Sequence, residues 1–364
     1  MSSKIIAGAL LAACAAGGIA AADTSVAENT TVGGKAFIDI TNLDAKSGGV
    51  KSPGNGFGID VTRFYLVLNH AFDDTWSANL TTDFNYNGQT TVVTGADFGN
   101  GTTTTAKVGD GETQLYIKKA YLQAKLSDAF YVRAGSADTP WVPFAEDLNG
   151  YRFVEKELLD RLKFGTSADW GVHGGGKLAD GMVGYAVSFL EGNGYKNPTR
   201  SKTLDTEGRI SFMPVKGLTA ALGFYSGKLG KDIEGTATPA VHTANRYTAL
   251  VSYTTGQYRI GAEYFSADNW TAVTSTAKDS ADGFSAWGSY SFTPTAAVFA
   301  RYDTDKPNKD TAPTKKEEYF NAGVSMKARK GVDIAVAYKH DEIKVNGAKA
   351  ADFDEIGVWG QVAF

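Results

Sequence analysis

From about residue 32 to the carboxyl end, apolar and polar residues alternate in stretches of about ten residues. Between residues 76 and 86, the even positions are mostly apolar or aromatic, whereas the odd positions are Ser, Asn, Thr and Asp. The same alternation recurs at 218–225 and 332–339. Because successive side chains of a strand point to opposite faces, this period predicts strands with one apolar face. About ten residues is also the length of a tilted strand that crosses a bilayer.

Short turns and longer polar connections alternate between these stretches. Seven short turns are predicted at Asp73-Asp74, Ser127-Asp128, Asp180-Gly181, Pro214 to Gly217, Thr255-Gly256, Thr293-Pro294 and Arg329 to Gly331. Eight longer connections are predicted near 44–57, 87–111, 137–163, 192–204, 227–244, 267–282, 304–317 and 341–352. Together they connect sixteen strands. The sequence therefore predicts an all-β fold, a transmembrane antiparallel up-and-down β-barrel of about 16 strands, which occupies residues 23–364 as one domain.

Aromatic residues collect at both ends of the predicted strands, as expected for rings that lie among lipid headgroups. Those beside short turns are Phe72, Trp76, Phe130, Phe212, Tyr253, Tyr258 and Phe292, and those near loops are Phe64, Tyr86, Phe224, Tyr264 and Phe320. The final stretch, 356–364, alternates and ends in Phe, similar to the terminal strand of outer-membrane barrels. A soluble all-β protein with an apolar core face is the alternative, but sixteen such strands favour the barrel.

The first 22 residues predict a secretory signal peptide. Lys4 precedes an apolar run from Ile5 to Ala16, and Ala20-Ala21-Ala22 offers a small-residue cleavage site. A lipoprotein processing site at Cys14 is the competing interpretation. Because Cys14 is the only cysteine, cleavage after Ala22 leaves a mature chain with no disulfide.

Composition narrows the function further. The chain has 42 Gly, 17 Tyr and 20 Phe, which suit turns and strands. Its formal net charge is −4, and loss of Lys4 makes the mature chain one unit more negative, so no nucleic-acid partner is expected. The four histidines are scattered without metal-binding spacing, and we expect no metal and no cofactor.

An enzyme is not expected. The alternative weighed is an outer-membrane hydrolase that uses His173 with Ser167 and Asp169. A catalytic triad needs these groups within hydrogen-bond reach of one another, and nearness along one strand does not provide that.

If the apolar faces contact lipid, the opposite faces line a water-filled lumen, since an ionised side chain in lipid costs about 2–4 kcal/mol near the midplane. The predicted pore-lining bases are Arg63, Lys119, Lys125, Arg133, Lys177, Arg209, Arg246, Arg259, Arg301 and Lys339. The predicted acids of the same face are Asp83, Glu207, Glu263, Asp303, Asp333 and Glu355. The excess of bases predicts a mild preference for anions. Alternatively, these charges pair across neighbouring strands and only rigidify the wall.

The third long connection, residues 137–163, differs from the other loops. It contains a short helical pattern and the apolar residues Trp141, Phe144, Phe153, Leu158 and Leu159, which an exposed loop would not need. We expect it to fold into the barrel and narrow it. Its predicted constriction residues are Glu146, Asp147, Arg152, Glu155, Lys156, Asp160 and Arg161. A loop packed over the mouth or against a neighbouring subunit is the alternative.

Several segments resemble the phosphate-selective porin O and P family. They are Val61-Thr62-Arg63-Phe64-Tyr65, Trp76-Ser77-Ala78-Asn79-Leu80, Ile117-Lys118-Lys119-Ala120-Tyr121-Leu122, Pro140-Trp141-Val142-Pro143-Phe144, Tyr151-Arg152-Phe153-Val154-Glu155 and Ser167-Ala168-Asp169-Trp170-Gly171-Val172. The resemblance is strongest over about residues 57–175. It implies a sixteen-stranded homotrimeric barrel with the third loop folded inward and an anion-attracting lumen.

The predicted function is passive diffusion of small hydrophilic solutes and ions through a pore in the outer membrane of a Gram-negative bacterium. A mild preference for anions, including phosphate, is expected. The expected partners are further copies of the chain, outer-membrane lipid and lipopolysaccharide, and small anions or other small polar solutes. One alternative is a general or weakly cation-selective porin, which the acids of the third loop favour. Another is a structural or adhesive barrel plugged by its own loops.

Overall fold

A computed structural model describes residues 24–87, 90–94, 104–108 and 112–364 of the chain. The predicted signal peptide, residues 1–22, lies outside the described residues. The strands are β1 (Thr24–Ala27), β2 (Thr30–Ser47), β3 (Val50–Lys51), β4 (Gly56–Ala71), β5 (Trp76–Asn87), β6 (Thr90–Thr94), β7 (Thr104–Val108), β8 (Glu112–Ser127), β9 (Phe130–Asp138), β10 (Ala168–Leu178), β11 (Val183–Leu190), β12 (Asp205–Phe212), β13 (Leu218–Gly227), β14 (Ala244–Thr254), β15 (Tyr258–Asp268), β16 (Ser280–Ser291), β17 (Ala296–Lys306), β18 (Lys315–Arg329), β19 (Val332–Val345) and β20 (Ala348–Ala363). The helices are α1 (Val142–Asn149) and α2 (Leu158–Leu162). Neither of these helices has the length and apolar character needed to cross a bilayer.

Sixteen of these strands form a closed antiparallel barrel, which confirms the predicted fold class. Each barrel strand pairs with the next one along the chain, and β20 closes the barrel by pairing with β2 from Ala351↔Ser47 to Ala363↔Lys35. Phe364 and Gly34 exchange two backbone hydrogen bonds at this seam, of 2.9 and 3.0 Å. Strands β1 and β3 pair with β2 as short extensions, and β6 pairs with β7. Because lipid offers no hydrogen-bond partners, closure of the barrel is what pairs the backbone N–H and C=O groups of every strand.

All seven predicted short turns join barrel strands at one end, here called the turn side. The opposite end is called the loop side. One predicted long connection, 341–352, is wrong, because β19 and β20 continue through it and are joined by Asn346-Gly347 alone. Both turn residues have positive φ angles, of 50° and 81°. A two-residue type I′ hairpin requires this conformation, and Asn-Gly is the pair that adopts it most readily.

The barrel strands expose apolar side chains outward and keep the alternate set inward. Leu222 is 62% exposed, whereas its neighbour Ala221 is 5% exposed. The predicted aromatic bands also face outward. The following residues are each more than a third exposed: Phe72, Trp76, Phe130, Phe212, Tyr253, Tyr258, Phe292, Phe64, Phe224, Tyr264 and Phe320. The side chain of Tyr86 lies outside the described part. An outer face of this kind suits lipid and excludes the soluble all-β alternative.

The third loop, predicted at residues 137–163, spans residues 139–167 between β9 and β10. It runs inside the barrel, which confirms its predicted inward fold. Its apolar residues form two buried clusters with the barrel wall. The first joins Trp141, Leu158 and Leu159 to the inward faces of β13 to β16. The second joins Phe153 and Val154 to the inward faces of β2, β4, β17, β19 and β20. The loop therefore packs against the wall from β13 to β16 and against the wall from β17 to β4.

Candidate functional site

Helix α1 carries Glu146 and Asp147, two of the acidic residues of the third loop, into the lumen. Pro143 lies in its first turn, where a missing N–H costs nothing, and Gly150 ends it with a φ of 83°. The shorter helix α2 begins at Glu157, whose carboxylate accepts hydrogen bonds from the backbone N–H groups of Leu159 and Asp160. The sequence predicts helical character near α2 but gives no prediction for α1.

Trp141 fixes the start of α1 to the wall. Its side chain is fully buried, and its indole Nε1 donates to Glu263 Oε1 at 2.5 Å. Its backbone N–H donates to Glu207 Oε1 at 3.1 Å. The ring covers Gly223 so closely that a Cβ there would lie 2.4 Å from ring atom Cε3. The loop position thus depends on a glycine on the facing strand.

Arg161 fixes the second half of the loop through charge. Its guanidinium lies 3.0 Å from Asp303 and 3.6 Å from Asp341, and it also donates to Glu317. These three acids lie on β17, β19 and β18, so one side chain ties the loop to three strands. Bonds between ionised partners are about twice as strong as neutral ones.

Glu155 adds another ionic contact from the loop to the wall. Its carboxylate lies 3.3 Å from Lys339 Nζ on β19. Burial alone would favour the neutral acid, but Lys339, Arg161 and Arg301 outweigh it and lower the pKa of Glu155 to about 2. Arg301 also donates to the backbone carbonyl of Lys156. Glu155 therefore stays ionised and holds the third loop to the wall.

A cavity of about 290 Å³ lies between α1 and the wall formed by β2, β4, β5, β8 and β9. Its charged lining residues are Lys35, Lys118, Lys119, Arg152, Arg259, Asp138, Glu146 and Asp147. Bases of the wall thus face acids of α1 across this space. Of the predicted constriction residues, the cavity brings together Glu146, Asp147 and Arg152, whereas Glu155, Lys156 and Arg161 contact β17 to β19.

Arg152 spans the loop at this cavity. It forms an ion pair with Glu146, and a second one with Asp160 at 3.5 Å. Asp147 beside it has no hydrogen bond to its carboxylate among the described residues. Burial, and then the neighbouring acids Glu146 and Asp138, raise the pKa of Asp147 to about 7.

A β-bulge turns two consecutive lysines toward the cavity. Thr81 pairs with Lys119, but the next residue of β5, Thr82, pairs with Ile117, so Lys118 is the extra residue. Lys118 is 9% exposed and its Nζ lies 4.8 Å from the ring centre of Tyr65. Strict alternation places only Lys119 inside. Sequence reasoning therefore missed Lys118, because an extra residue in one strand leaves no trace in the alternation.

Six of the ten predicted pore-lining bases have a carboxylate within 4.0 Å. The pairs are Arg63 with Asp83, Lys119 with Asp138, Lys125 with Asp128, Arg246 with Glu207, Arg301 with Asp303, and Lys339 with Glu155 and Glu355. Much of the inner charge thus has a partner of opposite sign, on the same strand, on another strand, in a turn or in the third loop.

The other four predicted bases are Arg209, Arg259, Arg133 and Lys177. Arg209 donates to the carbonyl of Pro140 at 2.8 Å and lies over the Phe144 ring, and Arg259 donates to the carbonyl of Asp147 at 3.1 Å. Arg133 donates to Gln123 at 2.7 Å. Lys177, near the end of β10, is exposed. A base whose hydrogen-bond partner is a neutral group still attracts anions in the lumen.

A second inward segment, residues 191–204, was not predicted to enter the barrel. Tyr195 is 8% exposed and lies 5.9 Å from Tyr116, ring centre to ring centre. Lys196 Nζ lies 4.5 Å from the Tyr116 ring centre. In the sequence, only the two consecutive residues Tyr195 and Lys196 in a Gly-rich loop indicate that this segment turns inward. Lys35, a lining residue of the cavity that was also missed, could have been found from its alternation with Asp39 along β2.

The residues of the hydrolase alternative do not form a triad. His173 Nδ1 lies 2.9 Å from the Ser188 hydroxyl, and Asp169 accepts hydrogen bonds from the backbone N–H groups of Trp170 and Gly192. Ser167 takes no part in these contacts. In the part of the chain that the structure describes, no three His, Cys, Asp or Glu side chains are grouped as a metal site.

Comparisons with known proteins agree with this geometry. The phosphate-selective porin O and P family matches residues 31–319. An anion-selective porin from Comamonas acidovorans aligns with a TM-score of 0.61 at 11% identity, over 92% of this chain and 99% of that one. The outer membrane channel DcaP of Acinetobacter baumannii aligns at 0.61 and 12%, over 95% and 100%. The trimer form of OmpT from Vibrio cholerae aligns at 0.57 and 13%, over 92% and 99%.

No curated protein sequence matches the chain. At such low identities the solved structures show the fold alone, and the family match carries the assignment. It favours a channel over an enzyme. Since this match covers well over half of the residues, the protein belongs to the phosphate-selective porin O and P family and is an outer-membrane channel.

Proposed function

We propose that the protein is a porin through which small hydrophilic solutes and ions diffuse, with a mild preference for anions. The supporting observation is the cavity beside α1, whose lining contains five bases and three acids. A passage whose lining has a net positive charge raises the local concentration of anions and lowers that of cations. The solute gradient supplies the driving force, and no cofactor takes part.

The anion preference rests on bases whose positive charge is not neutralised by a nearby carboxylate. Lys118 contacts tyrosine rings, and Arg259 contacts a backbone carbonyl, so neither is neutralised by a carboxylate within 4.0 Å among the described residues. Arg152 and Lys119, in contrast, are paired with acids. A few unpaired bases give a modest preference rather than a strict selection, and phosphate is one anion that fits this chemistry.

The oligomer and the membrane contacts follow the same proposal. The structural neighbour OmpT is recorded in a trimer form, and the family resemblance implies trimers. We propose a homotrimer in the outer membrane of a Gram-negative bacterium, with the outward aromatic bands against lipid and lipopolysaccharide. We also propose that residues 1–22 are a signal peptide removed before Asp23.

Planar-bilayer recordings test the proposal. In a tenfold KCl gradient, the reversal potential should indicate a chloride-preferring pore. The double variant Lys118→Gln/Lys119→Gln should lower the chloride-to-potassium permeability ratio by roughly two- to threefold, since it removes two positive charges from the cavity wall. Lys330→Gln, at an exposed turn, is the matched control and should leave the ratio unchanged. A wild-type reversal potential of the opposite sign would contradict the anion preference.

A plugged barrel is the second candidate, and one observation favours it. The third loop contacts both the β13–β16 wall and the wall around β2 and β20, so it covers a large part of the lumen. A plugged structural or adhesive barrel would give no single-channel conductance and no solute uptake into liposomes. Conductance steps from the purified protein would exclude it.

A further inference from the structure

The inner wall is positively charged close to the turn side. Six inward bases lie within three residues of the turn-side strand ends: Lys125, Arg133, Lys177, Arg209, Arg259 and Lys327. In the described strands, Asp333 is the one carboxylate this close to a turn-side end, and Lys327 lies directly opposite it in register. The acids of the turns, such as Asp73 and Asp180, lie beyond the strand ends, and one of them, Asp128, lies 2.7 Å from Lys125 Nζ.

Carboxyl groups are concentrated on the wall nearer the loop side. Asp39, Asp60, Asp305, Glu317 and Asp341 lie nine or more residues from the turn-side ends of β2, β4, β17, β18 and β19. Asp39 and Asp60 are paired directly across β2 and β4. Within the described part of the chain, Arg161 is the one cation that lies within 4.0 Å of any of these five carboxylates.

The two charged zones are separated along the barrel axis. A strand rises about 3.3 Å per residue and tilts by about 40°, so each residue advances roughly 2.5 Å along the axis. At least six residues separate the zones, which corresponds to about 15 Å. Because charges are screened over about 10 Å at 0.1 M salt, each zone attracts its own counter-ions.

We infer that the two zones make the channel rectify, so that it carries more ionic current in one direction than in the other. This inference rests on the proposed diffusion pore. Mobile cations are enriched beside the loop-side carboxylates and mobile anions beside the turn-side bases. A potential that is positive on the loop side drives both populations toward each other and fills the lumen with carriers. The reverse potential draws them apart and depletes it.

The experiment measures current–voltage curves of the purified protein in planar bilayers. In 0.1 M KCl, opposite voltages of equal size should give currents that differ by roughly twofold. In 1 M KCl, where screening acts within about 3 Å, the curve should become nearly linear. The orientation of each inserted channel is determined with the variant Ala237→Cys, which places the only thiol of the mature chain in a loop-side connection. A biotin reagent and streptavidin then mark the chamber that the loops face.

Two double variants separate the zones. Lys125→Gln/Lys177→Gln weakens the turn-side zone without touching the third loop, and Asp39→Asn/Asp60→Asn weakens the loop-side zone. Each should bring the current ratio closer to one. The matched controls are Lys330→Gln, in a turn, and Glu318→Gln, which neighbours Glu317 but pairs with Lys316 and Lys344 on the outer face. Both controls should keep the wild-type ratio.

The outcomes distinguish the inference from the proposal on which it rests. A linear wild-type curve in 0.1 M KCl, from a channel that conducts, overturns the rectification and leaves the porin intact. Rectification that neither double variant changes also overturns it, because another feature would then cause the asymmetry. Absence of any conductance contradicts the porin proposal itself, and the inference with it.

Discussion

At the scale of single residues, the chemistry of the cavity depends on whether each charge has a partner. Arg152 and Glu146 neutralise each other, while Asp147, next in sequence, has no hydrogen bond to its carboxylate among the described residues. Lys35 and Lys119 favour its charged form, but burial and two nearby acids dominate and raise its pKa to about 7. Asp147 is therefore a carboxyl group that changes charge near neutral pH inside a passage for ions.

The selectivity of the pore should consequently depend on pH. As pH falls from about 8.5 to about 5.5, Asp147 is protonated, the cavity loses a negative charge, and the preference for anions should increase. Reversal potentials in a KCl gradient at the two pH values measure this. Asp147→Asn should show the low-pH preference at both values, whereas Asp74→Asn, in a turn, should behave as wild type. A pH dependence that persists in Asp147→Asn would assign the titration to another group.

At the scale of elements, the alternation of apolar and polar residues was sufficient to predict sixteen strands and seven turns. It failed where one residue changes the geometry. The bulge at Lys118 adds a residue that alternation cannot reveal, and Asn346-Gly347 makes a tight turn inside a stretch for which the pattern predicts a long connection. The partners of Arg161 come from three strands more than 140 residues away, so only the folded loop defines them. Tertiary placement of loops is the part that local patterns do not determine.

One contact between elements is directly testable, the packing of Trp141 on Gly223. Gly223→Ala would place a Cβ 2.4 Å from the Trp141 ring and 2.5 Å from the Thr248 hydroxyl. The ring must then move and weaken its bond to Glu263, at a cost in unfolding free energy of about 1–3 kcal/mol. Thermal unfolding and tryptophan fluorescence in detergent measure the change. Gly288→Ala, whose added Cβ would meet nothing closer than 3.6 Å, is the control and should unfold as wild type.

At the scale of the whole molecule, the barrel provides a rigid closed wall, and the third loop decides how much of its interior stays open. The loop is held on one side by apolar packing around Trp141 and Leu159 and on the other by the ion pairs of Arg161 and Glu155. Apolar packing is spread over many contacts, whereas the ionic side depends on a few buried side chains whose loss leaves carboxylates unpaired. The open area of the lumen should therefore be controlled mainly by the ionic side.

Arg161→Met tests this control. It leaves Glu317 and Asp341 without their cation and keeps Asp303 paired with Arg301 alone, at 2.6 Å. Loss of one partner from a buried ionic network should lower the unfolding free energy by about 3 kcal/mol. The repelling carboxylates should also release the loop from β17 to β19, so single-channel currents should become larger and noisier. Lys163→Gln, an exposed base of the same loop, should change neither quantity. If Arg161→Met instead conducts as steadily as wild type, the apolar contacts alone hold the loop, and the ion pairs do not set the open area.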